Sequence, residues 1–203
     1  QRVLDVVDEL HKVGIHLTHL DLGGGLGIRY STENPPAPQQ YIQALIDVLK
    51  TRECNMHVTL EPGRAIVGNA GVLLTKVEYI KKGPEKNFAI VDAAMNDLIR
   101  PALYEAWHDV VEVNKTVNRD SRKCDVVGPV CESGDFLARD RMLAIGQDDL
   151  VAVRSAGAYG FVMSSNYNAR PRAAEVMVDG DAFHVIRERE STASLFSGEH
   201  LLR

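Results

Sequence analysis

Apolar side chains fall at Val3, Val6, Val7, Leu10 and Val13, spacings of three and four that predict a helix over residues 2–13. Gly14 follows as the residue that would close it. Ile15 to Leu22 is short, rich in β-forming residues, and reads as a strand running into Gly23-Gly24-Gly25. A polar, proline-rich loop covers Ser31 to Pro38. A second helix is predicted from about Gln39 to Arg52, with Tyr41, Ile42, Leu45, Ile46 and Leu49 inward. His57 to Glu61 reads as another strand, stopped by Pro62-Gly63. Helix, strand, helix, strand is the alternation of parallel βα units.

The pattern changes near residue 70. Strands are predicted over 72–80, 87–92, 110–117, 123–127, 150–154, 172–178 and 182–189, with short helices near Ile66, from Ala102 to Ala106 and from Ala156 to Asn166. Turn signals such as Lys82-Gly83-Pro84 and Asp179-Gly180-Asp181 separate them. The expected class is therefore α/β followed by all-β, with residues 1–70 as one unit and 71–203 as a β domain with short helices. Two βα units cannot cover both faces of a parallel sheet, so the first unit is expected to be incomplete.

Composition narrows the picture. The 203 residues are 45% hydrophobic and 25% charged, a folded rather than a disordered balance. A formal charge of -5 argues against a nucleic-acid partner, and the basic stretch Arg170 to Arg172 is too short to be an electrostatic footprint. No apolar run approaches the ~20 residues that span a bilayer, so no membrane segment is expected. The start at Gln1 is not a signal peptide. It lacks methionine and falls within a helical pattern, which leads us to expect a fragment or a processed chain. Cys54, Cys124 and Cys131 make no even framework and no CxxC pair, which fits a reduced, cytoplasmic setting.

Candidate chemistry gathers in five places. Gly23-Gly24-Gly25 lets the backbone approach a ligand, and successive N–H groups can cradle a phosphate; a loop that needs positive φ would use the same glycines. It is neither a GxGxxG fingerprint nor a P-loop. Glu61-Pro62-Gly63-Arg64 offers backbone donors and a cation at the end of the next strand, facing the same way, or else an ordinary turn with a salt bridge. Arg100 and Tyr104 are four apart, which on a helical turn would give them one face; the guanidinium suits a carboxylate, and a surface Arg with a half-buried Tyr is the plain alternative. Cys131-Glu132 sits in a Gly/Pro-framed loop ending Ser133-Gly134-Asp135, a plausible acid–base pair if the thiol is tuned; a lone cysteine is also a small buried hydrophobe. Tyr159, inside Ala156-Gly157-Ala158-Tyr159-Gly160, suits a tight site holding a phosphate oxygen, or a helix packed closely on a sheet. The histidines show no metal spacing, and no metal site is expected: His16 and His19 would point to opposite strand faces, and His108 and His184 stand alone.

Together, in this order, His19 to Gly27, Glu61 to Arg64, Arg100 to Tyr104, Cys131 to Asp135 and Ala156 to Tyr159 resemble the diaminopimelate decarboxylases over nearly the whole chain. These are fold-type III pyridoxal-phosphate (PLP) enzymes, related to alanine racemase. The resemblance implies the last strands of an eight-stranded α/β barrel followed by a C-terminal β domain, and the decarboxylation of meso-diaminopimelate to L-lysine and CO2. It implies that Gly23, Gly24, Gly25, Glu61, Pro62, Gly63, Arg64 and Tyr159 hold the cofactor. Arg64, Arg100, Tyr104, Glu132 and Tyr159 would bind substrate, with Glu132 at its distal amino group. Cys131 would be the catalytic proton donor, serving the partner subunit of a homodimer. Glutamate after the cysteine separates this loop from the ornithine type, which usually carries aspartate. Ornithine, arginine and carboxynorspermidine decarboxylases of the same superfamily are the alternative, as is a non-catalytic truncated module.

One departure is large. The family's Schiff-base lysine lies in a Tyr-x-x-Lys-Ala-Asn setting that is missing here, and Lys12, Lys50, Lys76, Lys81, Lys82, Lys86, Lys115 and Lys123 have none of that context. The histidine that stacks on the cofactor ring has no match either. The resemblance therefore implies a chain that needs an N-terminal barrel half and is inactive alone.

Overall fold

The computed structural model describes residues 2–114 and 119–202. Helix α1 spans Arg2–Lys12 and closes as Gly14 takes φ +83°, with Ile15 N–H donating to Leu10 O at 3.0 Å and Gly14 N–H to His11 O at 3.0 Å. That paired bonding satisfies the last carbonyls of the helix. Strand β1, His19–Asp21, is shorter than the stretch predicted from Ile15, so His16 lies outside it. Helix α2, Pro38–Thr51, starts with proline at its first turn, where no N–H is needed, and the Gln40 side chain caps Ala37 N–H at 3.0 Å. It leads to β2, His57–Thr59, which pairs parallel to β1 in the register Leu20↔Val58.

This parallel sheet has two strands among the described residues, and its cover is thin. Only Leu20 is buried within the strands, and α2 buries no residue. Val3, Val6, Ile42, Ile46 and Val58, the positions the pattern turns inward, remain 37–58% exposed. Apolar area of that kind offers a face on which another surface can pack.

The main core lies in a six-stranded sheet. A short helix α3, Gly63–Val67, and a 3-10 turn at Gly68–Ala70 lead into β3, Leu73–Lys82. Then come β4, Asn87–Val91; helix α4, Arg100–Tyr104; β5, Val110–Glu112; β6, Arg122–Val127; β7, Phe136–Leu143; and β8, Leu150–Val153. The order is β5-β8-β3-β4-β6-β7, with β4 and β6 parallel and the other pairs antiparallel. Val77, Val91, Val126, Leu137, Val151 and Val153 are fully buried on its inner face. The outermost strands approach each other. Ala144 N–H donates to the Glu112 carboxylate at 2.8 Å, and Arg141 Nη2 donates to His108 O at 3.0 Å. The sheet is thus curled almost into a barrel.

Three features differ from the sequence expectation. Strand β7 was not predicted, because a bulge at Asp140 (φ +57°) leaves Arg139 and Asp140 both outward and turns Arg141 inward, over Trp107 at 3.2 Å. That breaks the period of two. The helix predicted from Ala156 to Asn166 is instead a loop with a single 3-10 turn at Phe161–Met163, since Ser155 and Tyr159 both hold left-handed φ near +60°. The strand predicted over 110–117 ends at Glu112, and its positions 115–117 lie outside the described residues.

Strands β9, Glu175–Asp179, and β10, Ala182–Arg187, form a separate antiparallel hairpin. Glu190 ties its base: the carboxylate accepts from Arg172 N–H at 2.9 Å, Arg172 Nε at 2.7 Å and Asn166 Nδ2 at 2.7 Å. The Arg172 guanidinium, above all, lowers the Glu190 pKa from 4.5 to about 2. A depressed carboxylate stabilises above its unfolded pKa, and that contribution disappears as pH falls through the folded value. The hairpin amides are expected to lose hydrogen-exchange protection as pH drops from 4.5 toward about 2, beyond the intrinsic rate change, and Glu190→Gln should remove this pH dependence. An unchanged dependence in the variant would exclude Glu190 as the cause.

Candidate functional site

The triglycine loop follows β1 directly. Asp21 Oδ1 accepts Gly23 N–H at 2.7 Å, and Gly23 and Gly25 take φ of +68° and +93°. The loop is locked on two sides. Glu61 N–H donates to Gly23 O at 2.8 Å, and Tyr41 OH, from α2, donates to Gly24 O at 2.9 Å. A Cβ on Gly24 would sit 2.6 Å from Glu61 O, so no side chain fits between the two loops. Among the described residues the Gly24 and Gly25 N–H groups have no protein acceptor, which leaves two adjacent donors in a glycine concavity.

Glu61-Pro62-Gly63-Arg64 turns from β2 into α3 beside this loop. A second junction brings up Tyr159. Gly71 and Gly157 meet back to back, where a Cβ on Gly71 would lie 2.5 Å from Gly157 Cα. Ala156 N–H donates to Gly71 O at 2.9 Å, and Asn69 Nδ2 to Ser155 Oγ at 2.7 Å. The small residues of the 156–160 loop therefore serve a close backbone approach. The result sets the Tyr159 ring between two guanidiniums, with Arg64 Cζ 5.4 Å and Arg100 Cζ 6.0 Å from its centroid.

Arg100, at the start of α4, is only 8% exposed, yet its side-chain partners are neutral: Nη1 donates to Tyr30 OH at 2.9 Å and lies 3.0 Å from His108 Nε2. Among the described residues neither Arg64 nor Arg100 forms a salt bridge. Two guanidiniums without a salt bridge among the described residues, one of them buried, near a loop of free backbone donors are chemistry suited to an anion. Tyr104 does not share the environment of Arg100. The Arg is buried and the Tyr is 60% exposed, the reverse of the plain reading of that pair.

Cys131 and Glu132 lie elsewhere. Their loop is held by Asp135, whose buried carboxylate accepts Val130 N–H at 2.7 Å and Met95 N–H at 2.7 Å. Both Cys131 and Glu132 are exposed, and Glu132 accepts a hydrogen bond from Tyr167 OH at 3.2 Å. Among the described residues no hydrogen bond joins this loop to the triglycine, Arg64, Arg100 or Tyr159. Cys124 belongs to the sheet core, where burial pushes its thiol pKa up.

The sequence reading passed over Tyr30, Asn69 and His108. Each acts through a partner distant along the chain, and no local period marks them.

Among the described residues several lysines are engaged in ion pairs. Lys76 pairs with Glu78 at 2.9 Å, Lys86 with Asp125 at 2.6 Å and Lys123 with Asp140 at 3.0 Å. Hydrogen bonds to Glu78 and Asp125 raise the pKa of Lys76 and Lys86, the wrong direction for an amine that must attack a carbonyl. Lys115 lies outside the described residues. The cradle and guanidiniums fit the anionic parts of PLP and an amino acid; the covalent attachment finds no fit here.

A nearly closed antiparallel-rich sheet thus follows a parallel strand pair whose loops carry the triglycine and the Glu61–Arg64 turn. The chain belongs to the pyridoxal-dependent decarboxylases: residues 4–157 match that family's C-terminal sheet domain. It is 59% identical to the diaminopimelate decarboxylase of Pseudomonas aeruginosa and 55% to that of Vibrio cholerae, alignments that cover 100% and 99% of the chain and 48% of each relative. The chain thus spans about half the length of the curated relatives it matches. Among solved structures, the diaminopimelate decarboxylase of M. jannaschii in complex with L-lysine superposes with a TM-score of 0.92 at 37% identity, over 98% of this chain and 47% of that one. A lysine decarboxylase of Selenomonas ruminantium with PLP and cadaverine gives 0.73 at 26% identity, over 83% and 44%. No helix among the described residues is long and apolar enough to cross a membrane.

Proposed function

We propose that this chain is the C-terminal half of a cytoplasmic PLP decarboxylase that converts meso-diaminopimelate to L-lysine and CO2. The observation that carries the reading is the chain of contacts from the triglycine loop to the Glu61–Arg64 turn and from Arg64 and Arg100 to Tyr159, with neither guanidinium in a salt bridge among the described residues. Identity above one half with diaminopimelate decarboxylases, through the whole chain, supports this substrate.

In this reading residues 1–70 are the last part of an α/β barrel and 71–203 the β domain. The open parallel pair and the exposed faces of α1 and α2 are the surface on which an N-terminal half docks, bringing the Schiff-base lysine. Bound PLP supplies the electron sink for loss of CO2. Gly23, Gly24, Gly25 and the Glu61-Pro62-Gly63-Arg64 turn hold its phosphate. Arg64, Arg100 and Tyr104 receive the substrate carboxylates, and Tyr159 touches cofactor and substrate. Cys131 and Glu132, exposed and apart from their own cradle, serve the partner subunit of a homodimer: Glu132 meets the distal ammonium, and Cys131 delivers a proton to the carbon that has lost CO2.

The test is CO2 release by the full-length enzyme, or by this chain combined with an N-terminal half. Turnover of meso-diaminopimelate is expected, with none by this chain alone. Turnover of only ornithine or arginine would overturn the substrate assignment. PLP binding and turnover by the isolated chain would overturn the division into halves.

A further inference from the structure

Arg100 is held by a histidine that the roles above do not use. His108 follows α4 and a left-handed turn at Glu105 (φ +51°), and its ring is fully buried. His108 Nε2 lies 3.0 Å from Arg100 Nη1, and Nδ1 lies 2.9 Å from Arg154 O. A guanidinium carries donors only, so Nε2 must present a lone pair. Arg154 O is an acceptor only, so Nδ1 must carry the proton. One protonation state satisfies both contacts, the neutral Nδ1–H tautomer. A second proton would set N–H against N–H.

The groups around the ring favour that state. Arg100 reaches it from α4 and Arg141 lies near from β7, while Tyr30 packs edge-on at 5.3 Å. Burial first, then these two cations, lower the His108 pKa. The same contact leaves Arg100 Nε and Nη2 as the donors without a protein partner among the described residues.

We propose that His108 is a positioning residue which, as its neutral Nδ1–H tautomer, clamps Arg100 Nη1 against Tyr30 and leaves the other guanidinium edge to receive an amino-acid carboxylate. The clamp also ties substrate binding to the Tyr159 loop. Arg154 O, the anchor of Nδ1, immediately precedes Ser155, where that loop begins. The inference rests on the reading of Arg100 as a carboxylate anchor.

The experiment uses the full-length enzyme with meso-diaminopimelate. His108→Phe keeps an aromatic ring and removes both polar contacts; His108→Gln can return an acceptor to Arg100. His108→Phe is expected to raise KM by about 10–100-fold with kcat within about threefold, because ground and transition states lose the same carboxylate contact. His108→Gln should recover much of the KM, and the cofactor absorbance should stay unchanged in both. An unchanged KM in His108→Phe, where Arg100→Met raises KM, overturns the clamp and spares the Arg100 assignment. An unchanged KM in Arg100→Met removes that assignment and the clamp with it. A readout independent of turnover, and of whether His108→Phe folds, is nitrogen NMR of the wild-type imidazoles. His108 should show a protonated Nδ1 and bare Nε2 from about pH 6 to 8. Titration to the imidazolium in that range overturns the proposal.

Discussion

Cys131→Ala in the full-length enzyme is expected to slow CO2 release by about 10²–10⁴-fold, the usual worth of a positioned proton donor, while PLP content stays at the wild-type level. Such a donor acts on the transition state, so the loss should fall on kcat rather than on cofactor affinity. Equal loss of both would assign the thiol a structural part. Among the described residues of its own chain the Cys131 loop makes no hydrogen bond to the cradle, so mixed dimers offer a second check. A Cys131→Ala subunit combined with an Arg64→Met subunit should regain activity that neither homodimer has, because one site of the hybrid is then intact. No gain on mixing would confine each site to one subunit.

Asp135→Ala is expected to cost about 1–4 kcal/mol of stability, since it orphans two part-buried backbone N–H groups, for which the ~1–3 kcal/mol of a fully buried unpaired group is an upper bound. The donors are Val130 and Met95, both at 2.7 Å, and among the described residues no salt bridge to Asp135 is present to soften the loss. The Asp135 backbone adds to the same loop, donating to Glu132 O at 3.0 Å and accepting from Gly128 N–H at 3.1 Å. Removal of the carboxylate therefore frees the segment that carries Cys131 and Glu132 as well as its link to the turn before α4. Asp135→Asn keeps one acceptor and should lose about half as much. Denaturant unfolding of the full-length enzyme measures both, and a change below about 0.5 kcal/mol for the alanine variant would show that water replaces the carboxylate.

The sequence expressed most clearly what depends on local periodicity and local chemistry. The helical faces of α1 and α2, the closing role of Gly14 and the strand-ending loops at Gly23 and Pro62 are all set within a few residues of chain. The triglycine and the Glu61–Arg64 turn could be read as one rim because both follow strands of the same parallel pair. What stayed hidden depends on distant partners. Asp140 bulges where the Asp125 carboxylate takes its N–H at 2.8 Å, which scrambles the alternation of β7. The 156–160 segment has a helix-like composition, but its backbone is fixed by Gly71, nearly ninety residues earlier. Tyr104 is four residues from Arg100 and yet faces solvent, since a helix of one turn does not by itself decide which side meets the body of the protein. His108 looked isolated because, apart from Arg100 eight residues away, its partners Arg154 and Tyr30 are distant along the chain.

The curled sheet has one join unlike the others. Where β5 and β7 approach, two side-chain clasps, Glu112 to Ala144 and Arg141 to His108, stand in for a backbone ladder among the described residues. A seam stitched at two points can be pried apart without unzipping any strand from its neighbour, so solvent gains its easiest way into the sheet interior there. His108 sits on that seam. A loosening that begins at this seam would therefore be felt first as slack in the grip on Arg100.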